Sequence, residues 1–223
     1  IIANVIGDAD PAPISSAGDF LAIAQGQISL GDIASGGVIS LTGSAASQVN
    51  TGDLAGSSGV RISGEAPATR VSTIRTGNID STNGDVSLDA SGTIITGDIS
   101  APNGDVSITK TLAGGSLRTG LITVANDFLL DAPGTVVLAG ISAGDDVRIR
   151  NAGVLTLGSV TARGDGLDDE GTGSDIVLTN NQTISVGAAS TPNDFTVTGA
   201  TNFTGGSTTG VGRIVAGEGI SVS

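Results

Sequence analysis

The sequence predicts an all-β fold: a right-handed parallel β-helix, or three-sided β-solenoid, of about nine coils of roughly 19–22 residues with two longer insertions. Three observations carry this. The phrase Gly84-Asp85-Val86-Ser87-Leu88 returns as Gly104-Asp105-Val106-Ser107-Ile108 and, more loosely, at Asp127, Asp146, Asp175 and Asp194. Apolar residues alternate with polar ones inside each return, the pattern of a strand with one buried side. Glycine, 36 of 223 residues, recurs at fixed places between the apolar pieces rather than in a collagen period. A unit this short cannot bury its apolar face alone, so successive copies must stack.

Coil starts fall at Asp19, Val38, Gly59, Asp85, Asp105, Asp127, Asp146, Asp175 and Asp194, spaced by 19, 21, 26, 20, 22, 19, 29 and 19 residues. The two long intervals place surface insertions near Ala66 to Val71 and at Gly164 to Ser174, where loops absorb extra residues at little cost. Within one coil, Val86-Ser87-Leu88, Thr93-Ile94-Ile95 and Asp98-Ile99-Ser100 read as three strands, separated by corners at Ser91-Gly92, Gly97 and Asn103-Gly104. Val86 and Leu88, with Val106/Ile108, Val147/Ile149, Ile176/Leu178 and Phe195/Val197, are assigned to the core, and Phe20, Phe128, Phe195 and Phe203 to its wider parts. A second punctuation point is the glycine before the third strand, at Gly31, Gly52, Gly77, Gly97, Gly120, Gly140, Gly158 and Gly187. It implies either a positive φ or a closely packed backbone. Residues 1–17 read as an entry segment or irregular first coil and 18–223 as one continuous solenoid, a fragment of a longer chain. A sandwich or up-and-down barrel of hairpins also fits many short strands, but whole three-strand units returning at an interval of 20 favour parallel stacking.

The phrases Thr76-Gly77-Asn78-Ile79-Asp80-Ser81-Thr82-Asn83-Gly84-Asp85-Val86-Ser87-Leu88 and Thr96-Gly97-Asp98-Ile99-Ser100-Ala101-Pro102-Asn103-Gly104-Asp105-Val106-Ser107-Ile108 resemble the degenerate repeats of bacterial exoproteins of the filamentous-haemagglutinin, two-partner-secretion type. The resemblance spans about residues 18 to 223 and is one of repeat style, which autotransporter passengers share. It implies a long β-helix, secreted or held at the bacterial cell surface, acting as an adhesin or a stalk. The partners it implies are a host or neighbouring cell surface or its glycans. End-to-end self-association of the coils into a filament is the second expectation.

Composition narrows the chemistry. The formal charge is −13, with 22 acids against nine basic residues, of which Lys110 is the one lysine. No nucleic-acid partner is therefore expected, because the basic footprint of such a binder is missing. No apolar run approaches the length that spans a bilayer, so no membrane insertion is expected. Cys, His, Tyr and Trp are absent, which removes the common nucleophiles and bases and the aromatic platforms on which sugars stack. No catalytic residue and no cofactor is assigned. The chain is expected not to be an enzyme, although polysaccharide-active enzymes also use β-helices, and abundant carboxylates keep that alternative open.

Stacking should bring Asp85, Asp105, Asp127, Asp146, Asp175 and Asp194 into one acidic column. Two unit charges about 4.8 Å apart repel by nearly 1 kcal/mol even in water. The expected relief is hydrogen bonding of each carboxylate to turn N–H groups, and partial Ca²⁺ occupancy is the alternative. Metal candidates proper are Asp165, Asp168, Asp169 and Glu170, an acidic, glycine-rich insertion that could clamp Ca²⁺. Arg163-Gly164-Asp165 also matches an integrin-binding tripeptide, and Asn181-Gln182-Thr183 and Asn202-Phe203-Thr204 match the N-glycosylation pattern. Arg148 and Arg150 should share the outward face of one strand as a solvated charged stripe.

Overall fold

The computed structural model describes residues 12–66, 69–164, 174–205, 214–217 and 219–223. Every described element is a strand, every pairing is parallel, and successive strands pair with their counterparts one coil later. This is the expected parallel β-solenoid. Three columns of strands form three faces around one interior.

The first face carries the repeated phrase. Its inward row reads, in register, Phe20, Ile39, Val60, Val86, Val106, Phe128, Val147, Ile176, Phe195 and Ile220. Each coil start expected from the sequence therefore lies one residue before a rung of this row. The second face stacks Ile28, Val49, Ile74, Ile94, Leu117, Val136, Leu155, Ile184 and Phe203. The third stacks Ile33, Leu54, Ile79, Ile99, Ile122, Ile141, Val160 and Ala189.

Up to the last coil, where Ile220 is exposed, alternation buries these rows and turns the intervening residues outward, as Val106–Lys110 does with every second residue buried. The interior is almost wholly aliphatic, and Phe20, Phe128 and Phe195 are buried within it. Phe203 is only partly buried, with its ring centroid 6.2 Å from that of Phe195.

Three expectations about corners need correction. Gly120, Gly158 and Gly187 do not separate two strands, since Ser116–Val124, Val154–Ala162 and Thr183–Thr191 each run through them as one strand. Ser91-Gly92 does not end a strand: Val86–Ile95 runs through both faces as one bent strand, with a register shift between Ala90 and Thr93. Gly140 does not join the glycine column. Thr119 pairs with Leu138 and Leu121 with Gly140, so Gly140 stands one place later, beside Leu121 and Ser159. A Cβ at Gly140 would stand 3.1 Å from Leu121 Cδ2 and equally close to the carbonyl oxygen and Oγ of Ser159.

Candidate functional site

Two corners are zipped by side chains. At the corner entering the first face, Oδ1 of each aspartate accepts the backbone N–H of its counterpart one coil later. The distances are 3.0 Å for Asp85 to Asp105, 3.3 Å for Asp105 to Asp127, 3.1 Å for Asp127 to Asp146, 2.7 Å for Asp146 to Asp175 and 3.1 Å for Asp175 to Asp194. Each backbone is also used in the other direction, as when the Val86 N–H donates to the Asp105 carbonyl at 2.9 Å. The acidic column thus bonds to turn amides, the relief expected for it. Its price in charge is visible mid-column. Burial, aided by Asp145 and the neighbouring rungs, holds the Asp127 and Asp146 carboxyls above their ordinary range, against the opposing pull of the amide each accepts and of Arg148.

A second ladder, not read from the sequence, occupies the corner between the second and third faces. Oδ1 of Asp32 accepts the Asp53 N–H at 2.8 Å, Asp53 the Asn78 N–H at 2.7 Å, Asn78 the Asp98 N–H at 2.9 Å, and Asp98 the Leu121 N–H at 2.8 Å. The preceding glycines make room for it. A Cβ on Gly52, Gly77, Gly97 or Gly120 would collide with the Oδ1 of Asp32, Asp53, Asn78 or Asp98. None of these four glycines has a positive φ, so close packing is the reason for them. The threonine before each completes the unit: Thr51, Thr76, Thr96 and Thr119 donate Oγ1–H to the carbonyl of the following glycine at 3.0–3.1 Å. The signal was present in the sequence as the recurring Thr-Gly-Asp/Asn phrase.

Interior polar groups are few and satisfied. Lys110 is 1% exposed at the end of a first-face strand, and its Nζ donates to the carbonyls of Leu112 at 2.5 Å and Gly114 at 3.3 Å. No carboxylate meets it among the described residues, and burial lowers its pKa below the usual lysine value. In the same column farther on, Asn180 Nδ2 donates to Asn151 Oδ1 at 3.0 Å.

The outer surface is where a ligand would meet the chain. A cavity of about 340 Å³ lies against the first face beside the insertion, lined by Arg61, Ser63, Glu65, Thr69 and Asp89. Both of its carboxylates are already engaged, Asp89 by Arg70 at 2.5 Å and Glu65 by the Gln25 amide at 2.7 Å. Such a pair is poorly placed to act as free acid and base. Arg148 and Arg150 face outward as expected, and both are paired: Arg148 with Asp146 at 2.6 Å and Arg150 with Asp131 at 3.7 Å.

The Ca²⁺ candidates Asp165, Asp168, Asp169 and Glu170 lie outside the described residues, as does Asp165 of the Arg163-Gly164-Asp165 match. Among the described residues no group of three or more Asp or Glu side chains is placed to hold a metal ion, and no helix is long and apolar enough to cross a membrane. No family model, curated protein or solved structure matches the chain.

Proposed function

We propose that this chain is a structural and adhesive stalk segment of a secreted or surface-exposed bacterial exoprotein, without catalysis of its own. The observation that supports it most directly is the double zip. Both ladders bond backbone to side chain from coil to coil, over a continuous aliphatic interior. Such a rod resists bending and shear, because parting two coils must break strand-ladder bonds, corner bonds and apolar contacts together. The outer faces then present side chains at the strand spacing of about 4.8 Å, a regular surface for holding or displaying.

Beads coated with the chain should adhere to cells or to immobilised glycans, while the chain releases no reducing or unsaturated ends from acidic polysaccharides. Release of such ends would instead identify a polysaccharide-active enzyme. Rods that lengthen with concentration in negative stain would identify end-to-end assembly.

A further inference from the structure

The second face carries a row that the fold does not use. Arg75, Ile95 and Arg118 occupy one outward register position in three successive coils. The two arginines are exposed and Ile95 between them is half-buried. In a chain of charge −13, neither arginine has a carboxylate partner among the described residues, whereas Arg70, Arg148 and Arg150 each have one.

The corners sharpen the contrast. Three residues after Arg75 and Arg118 the corner positions are the uncharged Asn78 and Leu121, whereas Asp98 follows Ile95 at the same interval. The Oδ1 atoms of the nearest corner acids, Asp53 and Asp98, are taken by backbone amides. Alongside runs a parallel row of half-buried hydroxyls, Thr73, Thr93 and Ser116. The arginines stand two coils apart, about 10 Å at the spacing of adjacent strands.

We infer that the Arg75–Ile95–Arg118 row is a docking surface for a linear acidic polysaccharide. Two guanidinium groups would take acidic groups two sugars apart, Ile95 would meet the apolar face of the sugar between them, and the hydroxyl row would bond to ring hydroxyls. Charge complementarity selects the occupant. An extended peptide has no edge to join, since these strands are paired on both sides. Single-stranded nucleic acid needs stacking platforms, and neither this row nor the hydroxyl row beside it contains an aromatic side chain. The inference rests on the adhesive part of the proposed function and names its partner. Rod shape and bead adhesion are measured separately, so failure here would leave the stalk reading standing.

The test is biolayer interferometry of the whole chain on immobilised polygalacturonate, dextran sulfate, neutral dextran and single-stranded DNA at low and at physiological salt. Wild type should bind the two acidic polysaccharides, more weakly as salt rises, and the tighter of the two names the acidic group. The double variant R75Q/R118Q should lose roughly tenfold or more in affinity, and R150Q should bind as wild type does. Unchanged circular-dichroism melts would show that both variants remain folded. Equal binding to neutral dextran or DNA, no binding to either acidic polymer, or full binding by R75Q/R118Q would each overturn the inference.

Discussion

Oδ1 of Asp53 lies where a Cβ on Gly77 would stand, and from there it accepts the N–H of Asn78 at 2.7 Å. One atom thus explains two features of the next coil, its glycine and its turn geometry. The same relationship holds between Asn78 and Gly97 with an amide oxygen in place of a carboxylate. Acceptor geometry, rather than charge, is what the corner requires.

Gly77→Ala should therefore destabilise the solenoid by about 1–3 kcal/mol, since the new methyl meets both Asp53 Oδ1 and nearby backbone. Gly26→Ala, where a Cβ meets nothing within 4 Å, should stay within about 0.5 kcal/mol of wild type. Asp53→Asn should be tolerated, whereas Asp53→Ala leaves the Asn78 amide without its acceptor and costs about 1–2 kcal/mol. Urea melts of the four variants check this. Equal midpoints for Gly77→Ala and Gly26→Ala would refute the packing explanation.

Asp127→Asn should stabilise the chain at neutral pH. Burial raises the folded-state pKa of Asp127, so the folded state holds its proton to higher pH than the unfolded state does. Stability through this group is greatest at low pH, with the carboxyl protonated. It declines as pH rises from the ordinary carboxylate pKa through the raised folded value, above which the penalty is fully present. Asparagine keeps the oxygen that accepts the Asp146 N–H and carries no charge. Melting temperatures of wild type and Asp127→Asn should differ at pH 7 and converge at about pH 3, below the usual carboxylate range. A gap that widens on acidification would contradict this sign.

Much of this architecture was legible because the first-face phrase repeats in full: Asp85 and Asp105 announce both the coil and its edge. The second ladder was harder to read because corners absorb residues unevenly. Counted from coil starts Gly59, Asp85 and Asp105, the in-register residues Arg75, Ile95 and Arg118 fall at offsets of 16, 10 and 13. Counting along the chain therefore cannot align that row, and only the backbone pairing does. Gly140 is a different case, because Ala139, not Gly140, stands at the offset of 12 that Gly158 and Gly187 share. Lys110 was invisible for another reason: it occurs once, where its in-register neighbour is Ala90, so no period marks it as interior.

Lys110 makes an isolated titration. With no Cys, His or Tyr and a single lysine, no other side chain of ordinary pKa titrates between about pH 9 and 11. Burial lowers its folded pKa, so the unfolded state binds more protons in the window between that lowered value and the ordinary lysine value. Stability should therefore rise with pH across this window. Lys110→Met, which fills the same space without the charge, should flatten the dependence. Urea midpoints at pH 8.5, 9.5 and 10.5 provide the measurement, and a fall in wild-type stability over that range would sink the assignment.

Two phenylalanines should separate by burial. Phe128 is 0% exposed, held between Val106 and Val147 in the first-face row, and a linear stack cannot collapse around a missing ring without shifting both neighbouring coils. Phe128→Ala should cost about 3–5 kcal/mol. Phe203 is partly exposed and packs at an interplanar angle of 49° against Phe195, so Phe203→Ala removes less buried area and should cost about half as much. Stability in a stacked chain is local, and the two losses should reach different parts of it. In hydrogen exchange, Phe128→Ala should weaken protection of Val106–Lys110 and Val147–Ala152, and Phe203→Ala that of Asp194–Thr198. Equal costs, or protection lost uniformly along the chain, would mean that the coils melt as one unit and that burial at a single rung does not set the price of its loss.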